Sequence, residues 1–363
     1  MFRSGKRVLV FHLLNGYTGS VKVIRDVIDV LIINGYEVEI VTSNTEGFLS
    51  DIKDVHITKL KYNWNSFFFV TFILFIIAQI KMFLIAFKKA DQFDIYYINT
   101  ILPFGASFAA WLRKKIVIYH VHEVYLSKSF LSKVYIYFLK LTASKVVFVS
   151  HYLKKQYNVM CPSVVIYNTL NEDFLNIVSL NRNLLPFEQK QDILMISSLK
   201  EYKGVFNFIH LASLMPDYTF KLILSVSQDQ INLQFRSTFL PSNIKIFPVT
   251  SDLHPYYSRA KVNMNMTIPN KCIETFGMTV LESMSYGIPN IIPPVGGPCE
   301  LVEDDLEGYR IHPENYEALV FKIKYLYSND KKYNEMSKAS YEKSTLFSRN
   351  IMTEAITIFL SNS

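Results

Sequence analysis

Short apolar runs alternate with stretches whose apolar positions recur at helical spacing along most of the chain. Strands are expected near 7–14, 37–42, 95–99, 116–120, 145–149 and 164–167, and again near 192–197, 219–224, 244–248, 262–266, 289–292 and 309–311. The chain opens as strand, loop, helix, strand. An apolar run ends at Asn15-Gly16, a helical pattern covers Ser20 to Ile33, Gly35 closes it, and Glu37 to Thr42 follows. Recurring β and α units imply parallel sheets covered on both faces. The stretch from Asn168 to Gln191 breaks the pattern and contains Pro186. The expected organisation is two Rossmann-like α/β domains, 1–170 and 192–345, joined by a linker at 171–191. A last helix within 346–363 has one apolar side and is expected to pack back on the first domain.

Two segments invite a membrane reading. Arg3, Lys6 and Arg7 precede Val8 to Leu14 in the manner of a secretory signal, but the run is short, holds His12 and lacks a small-residue cleavage site. It reads as a buried first strand. From Ser66 to Phe87, 18 of 22 residues are apolar, enough for a helix of roughly 33 Å. Gln79 and Lys81 interrupt this run, and a span would put strands of one sheet on opposite sides of a bilayer. A helix buried in the domain and a helix dipping into the membrane interface both remain open. Lys59, Lys61, Lys88, Lys89 and Arg113-Lys114-Lys115 would supply headgroup contacts in the second case.

The 363 residues are half hydrophobic and 19% charged, which excludes a disordered or low-complexity chain. Cys161, Cys272 and Cys299 are too few and too scattered for a disulfide framework or a zinc cluster, so a reducing cytoplasm is expected. Charge is uneven. Residues 1–170 hold 20 Lys/Arg against 10 Asp/Glu, whereas 171–363 hold 18 against 21. The basic half is suited to an anionic surface. With no helix-turn-helix, zinc-finger or RRM-type signature, nucleic acid is not the expected partner.

The most informative stretch runs from Lys271 to Pro289. Thr279 to Tyr286 reads as a helix ended by Gly287, with Glu274 in the loop before it. Backbone N–H groups at Phe276, Gly277 and Met278 would form the helix amino end, a ready anion site. Gly277 allows close approach to the backbone. Glu282 lies one to two turns further on, where a carboxylate can accept both hydrogen bonds of a ribose diol. Glu274 can then hold hydroxyls of a sugar joined to the diphosphate. Two glutamates eight apart are, alone, more often solvated surface groups.

The surrounding pattern changes that judgement. Glu274 to Glu282, continued by Ile291-Ile292-Pro293-Pro294-Val295-Gly296-Gly297-Pro298, resembles the E-x7-E motif and following Gly-Gly loop of retaining glycosyltransferase family 4, which has the GT-B fold. Other matches span nearly the whole chain. Thr18-Gly19-Ser20 and Gly35-Tyr36-Glu37-Val38 resemble the amino-terminal glycine loop and the strand that follows it. His122-Glu123 resembles the position whose histidine lies beside donor sugar and acceptor. Ser198-Leu199-Lys200-Glu201-Tyr202-Lys203-Gly204 is similar to the loop whose lysine pairs with donor phosphate. The chain departs from the family at Ser198, where an arginine would clamp phosphate, at Asn168-Thr169 and at Lys261. Lys200 is the expected substitute for that arginine.

The resemblance implies two domains facing across a cleft and a sugar moved from a nucleoside diphosphate sugar to an acceptor hydroxyl with retention. His122, Glu274 and Lys203 would be the catalytic residues. Gly19, Lys200, Lys203, Glu274, Phe276, Gly277, Met278 and Glu282 would bind the donor. The leaving group is an anion, so charge stabilisation is the main task, and neither a metal nor another cofactor is expected. The family further implies a saccharide acceptor, lipid-linked, in bacterial surface polysaccharide or O-antigen assembly on the inner face of the plasma membrane. The rival readings are a nucleotide-sugar epimerase of the same fold, a phosphorylase without a convincing pyridoxal lysine, and a non-catalytic membrane scaffold.

Overall fold

A computed structural model describes residues 5–63, 67–124, 130–182 and 189–361. The chain divides into two compact units, Met1–Asn168 with Asn350–Ser363, and Thr169–Arg349.

The first unit holds a seven-stranded sheet ordered β3-β2-β1-β4-β5-β6-β7, parallel throughout. Its strands are β1 (Arg7–Phe11), β2 (Glu37–Ser43), β3 (His56–Leu60), β4 (Ile95–Asn99), β5 (Ile116–Val121), β6 (Lys145–Phe148) and β7 (Ser163–Val165). Val8 to Phe11, the run with signal-like flanks, is fully buried in the middle of this sheet. Successive residues of a strand face opposite ways, and the two faces carry different helices. Val8, Val10, Ile95, Tyr97 and Ile118 pack with α1 (Gly19–Ile33) and with Met352, Ile356 and Leu360 of the carboxyl-terminal helix α14 (Arg349–Ser361). The opposite face carries α2 (Phe68–Lys88), α3 (Phe104–Leu112) and α4 (Phe130–Thr142). There Tyr96 donates to the Ala86 carbonyl of α2 and Tyr119 to Ser107 of α3.

Helix α2 fits neither expectation in full. Phe75, Ala78, Gln79, Met82 and Ala86 are buried, and Gln79 accepts a 3.0 Å hydrogen bond from the Gly105 N–H of α3. The polar break in the apolar run is therefore a helix–helix tie. The other side leaves Ile73, Ile76, Ile77, Ile80 and Leu84 exposed, at helical spacing on one stripe.

The second unit holds a six-stranded parallel sheet ordered β10-β9-β8-β11-β12-β13. Its strands are β8 (Asp192–Ser197), β9 (Thr219–Leu224), β10 (Ile244–Phe247), β11 (Ala260–Met264), β12 (Asn290–Ile292) and β13 (Gly308–Arg310). Two differences from expectation have local causes. Strand β3 escaped the pattern because HITKL is a short, half-exposed edge. The segment read as a linker contains α6 (Glu172–Asn181), started by Asn171, whose side chain accepts from the Phe174 N–H at 2.8 Å. Pro186, which suggested the linker, lies outside the described residues.

In each sheet the chain order reverses once, between β1 and β4 and between β8 and β11. Beyond the carboxyl ends of such strand pairs an α/β sheet leaves a crevice for ligands.

Candidate functional site

At the second unit's reversal point two loops meet. The first, after β8, makes a tight 3₁₀ turn (Glu201–Lys203) and enters α7 (Val205–Leu214) at Gly204. Gly204 has φ +74°, and a Cβ there would lie 2.0 Å from the Met266 carbonyl oxygen, so only glycine lets the loops touch. The Ile268 N–H donates to the Tyr202 carbonyl at 2.8 Å and ties the second loop to the first.

That junction pairs the Lys203 ammonium with the Glu274 carboxylate. Burial alone would lower the lysine's pKa; the Glu274 charge and hydrogen bond outweigh it and raise the pKa above its ordinary value. Lys203 is accordingly a fixed cation. Glu274 is held from behind by the 2.9 Å bond from the Gly297 N–H to its carbonyl. Side chains at Gly296 or Gly297 would collide with the Glu274 and Thr275 carbonyls, at 2.6 and 2.0 Å.

The loop then runs into α10 (Met278–Ser285), whose N-cap Gly277 has φ +104°. The Phe276 side chain is buried against Phe347, so only its backbone can serve a ligand. Glu282 is only 8% exposed, and Tyr257 of α9 (His254–Arg259) donates to its Oε2 at 2.8 Å. Tyr257 escaped the sequence analysis. An aromatic residue on a short helix carries no signal of its own, and only the fold sets it against Glu282.

Lys200 is placed differently from Lys203. It lines a cavity of about 520 Å³ with Glu201, Lys271 and Glu314, which contains neither Lys203, Glu274 nor Glu282. Its neighbour Glu201 pairs with Lys271.

In the first unit, Gly19 is the exposed first residue of α1. His122 follows β5, the strand next to β4, directly; it is half-buried, and its Nε2 lies 2.8 Å from Asn99 Oδ1. Burial, then the neighbouring His120 and His12, push its pKa well below the usual histidine value. Glu123 is raised to about 7 by burial, against backbone hydrogen bonds that favour its anion. Asn99 and His12 were not foreseen, because each is an isolated polar residue at the end of an apolar strand.

Comparison with known proteins agrees with this architecture. Residues 17–174 match the model described as Glycosyltransferase Family 4, and residues 179–343 match that of Glycosyl transferases group 1. A sucrose synthase of Acidithiobacillus caldus is 47% identical over 50 residues, 14% of this chain and 6% of that protein. An uncharacterized glycosyltransferase of Haemophilus influenzae is 27% identical over 188 residues, 49% of this chain and 50% of its own length. The chain thus spans half or less of the curated relatives it matches here. Among solved structures, Anabaena HepE in complex with UDP and glucose superposes with a TM-score of 0.79 at 17% identity, over 99% of this chain and 100% of that one. The two matched models account for both Rossmann-like units, so the chain carries the paired glycosyltransferase-family domains of a GT-B fold.

Proposed function

We propose that the protein transfers a sugar from a nucleoside diphosphate sugar to a saccharide hydroxyl, with retention of anomeric configuration. The observation that carries this reading is the Lys203–Glu274 pair beside the α10 amino end, at the point where the strand order of the second sheet reverses. Negative charge grows on the β-phosphate as the glycosidic bond to the donor breaks. Lys203 and the N–H groups of 276–278 meet that charge from fixed positions, which lowers the barrier without reorganisation. Glu274 orients the sugar hydroxyls and Glu282, steadied by Tyr257, takes the ribose diol. No metal ion is needed, since ammonium and helix end supply the positive potential. HepE, a distant structural neighbour solved with UDP and glucose, supports a donor of this class.

The acceptor in this reading is a lipid-linked saccharide of bacterial surface polysaccharide or O-antigen assembly, met on the cytoplasmic face of the plasma membrane. The exposed apolar stripe of α2 supports it. Lys81 and Lys88 are exposed on the same helix, and Lys133 and Lys140 on α4. No Asp or Glu occurs between Lys61 and Ala90.

The direct test is thermal stabilisation by UDP, GDP and ADP, followed by transfer from the corresponding sugar nucleotides to a saccharide acceptor. One nucleotide should raise the melting temperature, and its sugar conjugate should release nucleotide only when acceptor is present. A sugar nucleotide converted to its epimer, with no net release of nucleotide whether or not acceptor is present, would replace transfer by epimerisation chemistry. Indifference to all three nucleotides would leave a non-catalytic protein.

A further inference from the structure

The carboxyl ends of β1, β4 and β5, neighbours in the first sheet, bring together three side chains in one chain of hydrogen bonds. Asn99, the last residue of β4, is completely buried. Its Nδ2 lies 3.1 Å from the Ser20 carbonyl oxygen and 2.9 Å from His12 Nδ1, and its Oδ1 lies 2.8 Å from His122 Nε2. His12 Nε2 in turn lies 3.0 Å from the Leu14 carbonyl oxygen.

The two backbone carbonyls settle every proton in this chain. A carbonyl oxygen only accepts, so the Asn99 group facing Ser20 must be the NH₂. Its second hydrogen goes to His12 Nδ1, which is therefore a lone pair, and the His12 proton sits on Nε2, donated to Leu14. On the far side, the Asn99 oxygen faces His122. That oxygen can only accept, so the proton of His122 is on Nε2. The remaining ring nitrogen, Nδ1, is then unprotonated. A flipped amide would set two oxygens against each other at Ser20 and leave both imidazole contacts without a rationale.

We propose that Asn99 is a positioning residue that locks His122 in its Nε2–H tautomer and so keeps Nδ1 as a hydrogen-bond acceptor for a substrate hydroxyl. The inference rests on the glycosyl-transfer reading for its substrate, and on this geometry alone for its tautomer. The physical consequence is selective. A sugar or acceptor hydroxyl donates to Nδ1 without first displacing a proton, whereas the opposite tautomer would present N–H to it. When a histidine works in catalysis, the group that holds its second nitrogen sets its tautomer, and losing that control costs activity even when the ring stays in place.

The groups that face His122 can be enumerated among the described residues. His120, on the same strand, has its ring centroid 4.3 Å away and is itself bonded to Tyr97 of β4. His12 approaches from β1 through Asn99. Glu123 Oε2 accepts the His122 backbone N–H at 3.2 Å, and the Glu123 carbonyl accepts from Tyr157. None of them contacts the His122 side-chain Nε2 in place of Asn99.

The test is ¹⁵N NMR of the histidine rings in the full chain, with His122 assigned from His122→Gln. The wild type should show His122 protonated at Nε2 and bare at Nδ1 across the neutral range. Asn99→Asp keeps the size but can only accept. It should raise the titration of His122 by about one unit or more. Asn99→Leu removes the acceptor and should give a mixture of tautomers. With the donor and acceptor identified, Asn99→Leu should lower kcat by about tenfold or more, while Asn99→Asp, which keeps the acceptor at Nε2, should retain most of it, and the donor KM, set in the other unit, stays within about twofold in both. Thermal melts and nucleotide stabilisation identify variants that still fold. An Nδ1–H tautomer in the wild type, or an unchanged ring spectrum in both variants, overturns the proposal. If no sugar nucleotide is turned over by the wild type, the glycosyl-transfer reading fails, while the NMR result still decides the tautomer.

Discussion

Tyr257 and Glu282, on different helices, form a buried hydroxyl–carboxylate pair at 2.8 Å. Burial, and then the Glu282 charge, push the Tyr257 hydroxyl well above its ordinary pKa, so it stays a donor throughout the neutral range. Removing it by Tyr257→Phe leaves the carboxylate short of a partner in a poorly solvated place, a loss of roughly 1–3 kcal/mol. Calorimetric titration with the stabilising nucleotide should show binding weakened several-fold in Tyr257→Phe and about ten- to a hundredfold in Glu282→Ala. Full donor affinity in Glu282→Ala would remove the ribose assignment.

The Lys203–Glu274 pair predicts an asymmetry between its two halves. Lys203→Met deletes the cation intended for the developing phosphate charge and leaves Glu274 part-buried without its counter-ion. Its kcat should fall by about two to three orders of magnitude. Glu274→Gln keeps hydrogen-bonding capacity and leaves Lys203 charged, so nucleotide binding should hold while transfer falls. Steady-state kinetics beside nucleotide titration separate the two effects. A Lys203→Met enzyme within about threefold of the wild type would take phosphate stabilisation away from this lysine.

The strand pattern was legible because parallel strands covered on both faces are continuous apolar runs, and runs such as Val8 to Phe11 or Ile95 to Ile98 resemble little else. Glu274 and Glu282 were singled out for a different reason, the resemblance of the whole stretch around them to a family motif, since two glutamates eight apart say little alone. Asn99 and His12 were not, since their roles come from sheet order, which brings β1 beside β4 and β4 beside β5; nor was Tyr257, which only the folding of the second unit sets against Glu282.

Helix α2 makes a prediction about membranes. Ile73, Ile80 and Leu84 are 58%, 55% and 48% exposed on one stripe, and burying such side chains is worth about 1.5–3 kcal/mol each. Basic residues near an anionic leaflet add about 1 kcal/mol each. The protein should sediment with phosphatidylglycerol vesicles and much less with phosphatidylcholine. The triple variant Ile73→Ser/Ile80→Ser/Leu84→Ser should lose vesicle binding by about a hundredfold or more while keeping its melting temperature, because the packed face of α2 is untouched. No preference for the anionic vesicles would refute the membrane-facing role of this helix.

The histidine cluster makes a prediction about acid. Burial lowers His12 to about 4 and His120 to about 3, and His122 lies well below its ordinary value. A group depressed on folding contributes stability above its unfolded pKa and loses it as pH falls toward the folded one. These contributions are therefore present above about 6.5 and drain away below it. Glu123 acts oppositely. Raised to about 7, it favours the folded state most below its unfolded value and loses that contribution as pH rises toward 7. Three histidines outweigh one glutamate, leaving a net loss of stability as pH falls from 6.5 to 5. Urea unfolding across that interval should show it. Glu123→Gln removes the opposing group and should steepen the slope, whereas His120→Gln should flatten it. A wild-type stability that stays level from pH 6.5 to 5 would mean that the cluster is hydrated and that its histidines titrate as exposed ones do.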